Sequence, residues 1–166
     1  MPDAAAAPRI GWLKPLYGFT GRTVVSATRA GRAHLIDMGR EIAGSDSGVA
    51  VYITASARGF GDEAYRGRII GAFWLAAMPD GKTAEDYPFK DVDGTVRWPV
   101  GWPVDGARTV KLPLATAPEL KPLLIETCGE AAWRRVAASF QGGAPAKLAG
   151  DLAPLGVALS RLVPAA

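Results

Sequence analysis

Residues 68–77, RIIGAFWLAA, form a continuous apolar run that stops at Met78-Pro79-Asp80-Gly81. The run has the composition of a strand, and a Pro-Asp-Gly turn signal ends it. Working outward, residues 49–54 (VAVYIT) read as a second strand behind the turn-forming GSDSG of residues 44–48. Residues 22–28 (RTVVSAT) read as an earlier one, the first of the chain, between glycine-rich flanks. Between these two, Leu35, Met38 and Ile42 recur at helical spacing in residues 32–43, and Gly44 offers a stop, which predicts an amphipathic helix. Downstream, residues 95–98 and 109–114 read as two short strands around a Pro/Gly bend. Residues 118–124 hold a helical turn and residues 130–140 a helix. Leu148, Leu152, Leu155, Leu159 and Leu162 are spaced 4, 3, 4, 3, with Asp151 as N-cap ahead of Pro154, so a C-terminal leucine-rich helix is expected to pack one face on the sheet. Short strands, one early helix and late helices predict an α+β fold, a small barrel with peripheral helices, rather than a strictly alternating parallel sheet. Residues 1–11, with two prolines and an alanine run, are expected to be a flexible arm, and residues 12–166 a single domain.

Composition agrees with one globular domain. The chain has 166 residues, 49% hydrophobic and 21% charged, which excludes a disordered tail, a coiled coil or a collagen repeat. No apolar run approaches the roughly 18 residues that cross a bilayer, and Met1-Pro2-Asp3 followed by four alanines lacks the blocks of a secretory signal, so a cytoplasmic location is expected. One cysteine, Cys128, makes no intramolecular disulfide. One histidine, His34, leaves no His/Cys cluster of metal-ligand spacing, and no metal or organic cofactor is expected. The net charge is +3 but uneven: residues 9–40 hold six cations (Arg9, Lys14, Arg22, Arg29, Arg32, Arg40) against Asp37 alone. A local cationic face suits a nucleic-acid backbone, while the plain alternative is a set of solvated arginines.

Catalytic patterns are sparse. Cys128 lies between Thr127 and Gly129 without a nucleophile signature, and His34 stands beside Leu35 on the expected helix. The carboxylate pairs Asp37/Glu41, Asp62/Glu63 and Glu85/Asp86 occupy polar, surface-like contexts with nothing to raise a pKa. Gly59 and Gly61 fall short of a phosphate-binding glycine loop. The aromatic pattern says more. Trp98-Pro99-Val100-Gly101-Trp102-Pro103 sets two tryptophans four residues apart, each followed by proline, so that they share a face if the segment is extended or wall a slot if it bends at Gly101. Such a slot stacks an unpaired or flipped base, with Arg97 beside it for a phosphate; the plain alternative makes either ring a core plug.

In order, GVAVYIT (residues 48–54), RIIGAFWL (68–75) and RWPV (97–100) resemble the EVE family of the PUA-like superfamily, related to YTH domains, over about residues 20–140. RTVVSAT is similar in place to that family's first strand, although the family's Lys-Ser-Glu-Pro turn is absent and only Ser26 matches its serine. The resemblance implies a small PUA-like barrel that binds nucleic acid, accepts a modified base and does no chemistry. It puts Ser26 and Thr28 at the base edge, with Tyr52, Trp74, Trp98 and Trp102 around the base. Tyr52 and Trp74 are also the readiest of these to be core residues. Arg22, Arg29, Arg32 and Arg97 are expected on the nucleic-acid backbone.

The expected function is thus a non-enzymatic reader, a monomer, with 5-methylcytosine in DNA as the leading ligand and DNA favoured over RNA. The alternatives are a binder of modified or single-stranded RNA bases, a hydrolase or transferase using Asp62, Glu63 or Cys128, and an interaction module using the C-terminal helix.

Overall fold

The computed structural model describes residues 9–16, 23–54, 63–90, 93–140 and 143–164. Its eight strands are β1 (Arg9–Leu16), β2 (Val24–Ala27), β3 (Ser47–Ile53), β4 (Ile69–Leu75), β5 (Phe89–Lys90), β6 (Val96–Trp98), β7 (Val100–Lys111) and β8 (Ala146–Lys147). The helices are α1 (Arg32–Ile42), α2 (Leu120–Cys128), α3 (Glu130–Phe140) and α4 (Ala153–Leu162). Six strands form one curled half-barrel sheet in the order β2-β7-β4-β3-β1-β8, and β5 and β6 pair as a separate ribbon. The fold is α+β, as expected.

Strands buried on both faces explain the near-continuous apolar runs. In β3, Val49, Val51 and Ile53 enter the inner cluster, while Ala50 and Tyr52 enter the outer one. The inner, concave cluster is filled by α1, whose Leu35, Met38 and Ile42 are buried among Val25, Ile70, Leu75 and Val100. Each such aliphatic side chain contributes about 1.5–3 kcal/mol on burial. α1 also bridges the two sheet edges: Glu41 pairs with Lys147 of β8 at 2.9 Å, and a Cβ on Gly31, just before the helix, would stand 3.3 Å from Ala27 Cβ of β2. The outer cluster packs the convex face under α2, α3 and α4, with Leu120, Leu124, Val136, Leu155 and Leu159.

Several expectations are corrected. Residues 9–11 belong to β1, which runs parallel to β3, so the fold starts before Trp12. The prolines and Lys14 concealed this strand. β8 stops opposite Trp12 and Leu13, which leaves Pro15 on an edge where a missing N–H breaks no ladder bond. RTVVSAT shortens to β2, the second strand, with Arg22 outside the described residues. The short strand expected at 109–114 is the end of β7, a 12-residue strand that pairs first with β2 and then with β4. The five leucines do not share one helix. Leu148 follows β8, Leu152 ends a 3-10 turn, and α4 begins at Ala153 without a side-chain cap. Asp151 instead pairs with Arg135 at 2.6 Å. Among the described residues no helix is long and apolar enough to cross a membrane.

Candidate nucleic-acid interface

β2 ends at Ala27, opposite Val100, the first residue of β7. Thr28 and Arg29 therefore leave the sheet where β7 begins. Thr28 Oγ1 accepts the Gly31 N–H at 3.3 Å and its carbonyl accepts it at 3.0 Å, which turns the chain into α1. Over this corner lies a strap, described at residues 79–90 and 93–98. Its 3-10 turn, Ala84–Asp86, buries Ala84 in the inner cluster and is closed by a capping box between Thr83 and Asp86. Beyond it the Tyr87 carbonyl lies against Gly101, where any Cβ would collide with it. The strap then returns as the β5–β6 ribbon, with Phe89 paired to Trp98 and ring centroids 5.1 Å apart.

The six residues expected around a base do not line one pocket. Trp102 is in the inner cluster, its ring filling the space that a Cβ on Gly39 of α1 would occupy, and its Nε1 donates to the Ala76 carbonyl at 2.8 Å. Trp74 is in the outer cluster over Gly48, with Nε1 donating to the Asp46 carbonyl at 3.1 Å and Arg108 stacked 5.0 Å from the ring centre. Tyr52 stacks on Phe140 at 5.3 Å in that same outer layer, and burial raises its pKa. Ser26 is buried opposite Gly101, on the face that the strap covers. These four are held by packing on separate faces. Trp98 alone of the expected rings is half-buried at the surface, held by Phe89 and with Arg97 5.2 Å from its ring centre. The chain turns between the two tryptophans at Pro99, so WPVGWP makes neither one extended face nor a slot bent at Gly101.

The backbone-binding expectations fare differently. Arg29 follows β2, Lys90 lies on β5 and Arg97 on β6, and all three are exposed. Arg32, the first residue of α1, is ion-paired with Glu85 of the strap at 2.5 Å. That contact holds the Glu85 carboxyl down at about 2, chiefly through the hydrogen bond from Arg32, and raises the Arg32 pKa. Two other strap carboxylates serve their own turns: Asp86 accepts from Thr83 N–H at 2.8 Å, and Asp93 accepts from Thr95 N–H at 2.9 Å, which lowers its pKa.

Sequence reasoning missed three features of this end of the barrel. Lys14 stands between Trp12 and Leu16 on the inner face of β1, only 2% exposed, with Nζ donating to the carbonyls of Gly143 (2.7 Å) and Pro15 (3.0 Å). The alternation Trp12, Lys14, Leu16 was the available signal. Trp12 Nε1 on the same face is buried without a hydrogen-bond partner among the described residues. Phe89 and Glu85 lay in a segment too polar to show periodicity.

The catalytic alternatives are scattered. Glu63 binds Arg66 through both carboxylate oxygens at 2.6 and 2.7 Å; Asp62, Gly59 and Gly61 lie outside the described residues. Cys128 ends α2 beside Thr127 Oγ1 at 3.4 Å, and His34 is exposed on α1. Among the described residues no group of three or more His, Cys, Asp or Glu could hold a metal. No protein-family model matches the chain, and a search of curated proteins finds no match either.

Proposed function

We propose that the protein binds nucleic acid without chemistry, stacking one unpaired or flipped base on the Trp98 ring while Arg29, Arg32 and Arg97 hold the flanking phosphates. The observation that carries this reading is the half-buried Trp98 ring, held by Phe89 with Arg97 beside it, on a ribbon that follows the turn whose Glu85 reaches Arg32 at the start of α1. A fixed aromatic ring supplies about 1–3 kcal/mol of stacking per base, and the surrounding guanidinium groups supply the salt-dependent part of the affinity. DNA is the favoured polymer and 5-methylcytosine the leading base. Because Trp74, Trp102 and Tyr52 are committed to the two cores, the methyl group meets one ring rather than a closed cage. Preference for the methylated base is then at the low end of the roughly 1–3 kcal/mol that one methyl group can supply.

Fluorescence anisotropy with four oligonucleotides, cytosine or 5-methylcytosine in DNA or RNA, at two salt concentrations tests the reading. Salt-dependent binding that Trp98→Ala weakens supports it, and tighter binding to RNA moves the preference to RNA. No binding to any of the four at low salt overturns it.

A further inference from the structure

Arg32 opens an 11-residue helix whose first turn holds no acidic residue. A helix start favours a nearby negative charge, and here a carboxylate arrives from the strap, 53 residues away in sequence. The contact joins Arg32 Nε to Glu85 Oε1, and both side chains remain about half exposed, at 47% and 52%. An exposed ion pair of this kind is worth little net, because water competes for both partners. A phosphate can take the guanidinium through two parallel hydrogen bonds, so exchange of carboxylate for phosphate at Arg32 is favoured.

We infer that Glu85 is a built-in competitor for the nucleic-acid phosphate at Arg32, an autoinhibitory contact that the ligand must displace; this rests on the nucleic-acid reading above. The strap carries both Glu85 and the stacking ring, so the same segment that offers the base its platform also occupies the neighbouring phosphate position. Glu85 stays ionised far below neutral pH, which makes polyanion concentration and salt, rather than acid, the means of opening the contact.

The exchange is measurable. In the native protein a phosphate gains Arg32 only by giving up the Arg32–Glu85 pair, which offsets part of the gain. Glu85→Gln keeps the size and removes the charge. The variant is therefore expected to bind oligonucleotides about three- to tenfold tighter at low salt. Its log K against log salt should be steeper, because rising salt also weakens the competing ion pair in the native protein. In an Arg32→Gln background, adding Glu85→Gln should bring no such gain, and thermal melts should find both variants folded. If the native protein binds and Glu85→Gln binds equally with the same slope, the competitor role is overturned and the nucleic-acid reading stands. If neither binds any oligonucleotide at low salt, both fall.

Discussion

Trp98 and Trp102 are four residues apart in one motif and have opposite surroundings. Trp102 lies in the inner cluster, pressed on Gly39 with its indole N–H bonded to the Ala76 carbonyl, and has no surface to offer a ligand. Trp98 lies on the ribbon at the barrel rim, half-buried, with aromatic and guanidinium neighbours. The division comes from the backbone. Trp102 pairs with Val25, whose side chain faces α1, whereas Trp98 pairs with Phe89 in a ribbon outside the main sheet. A tryptophan next to proline is therefore a stability element in one sheet and a candidate binding element in the other.

The largest test of this contrast is Trp102→Ala, which should cost about 3–5 kcal/mol of unfolding free energy in urea melts, since it leaves a large cavity beside α1 and an unpaired Ala76 carbonyl. Gly101→Ala joins the two regions. Its Cβ must push the Tyr87 carbonyl away, so a loss of about 1–3 kcal/mol and weaker oligonucleotide binding should appear together. Trp98→Ala should leave the urea midpoint nearly in place and lower oligonucleotide affinity about tenfold by anisotropy. Arg29→Gln should weaken binding several-fold and reduce the salt slope by just under one, with no change in base preference.

The smallest effect concerns acid. Glu85 is lowered from 4.5 to about 2, so its contribution to stability is full above about pH 4.5 and is lost as pH falls towards 2. Melting temperature should accordingly fall less between pH 5 and 2.5 in Glu85→Gln than in the native chain.

Much of the fold was legible where periodicity was strong. Leu35, Met38 and Ile42 located α1, and residues 130–140 coincide with α3. The run RIIGAFWLAA gave β4, because a strand covered on both faces needs little alternation. β1 was not legible, because Lys14 and Pro15 argue locally against a strand and only tertiary contacts accommodate them. The leucine spacing ran across a 3-10 turn into α4, since i, i+3 and i+4 contacts also arise where a turn precedes a helix. The candidate site was legible only in part. Trp98 and its neighbour Arg97 do stand together at the surface, but spacing within WPVGWP gave no sign that the chain turns at Pro99. Nor could sequence alone foresee that Glu85 would reach Arg32, a contact set entirely by the path of the strap.

The most direct test follows the indole N–H signals of the chain's five tryptophans by NMR as a methylated DNA oligonucleotide is added. The Trp98 signal should shift with the binding curve while those of Trp74 and Trp102 stay in place. A shift of Trp102 or Trp74 with Trp98 unmoved contradicts it.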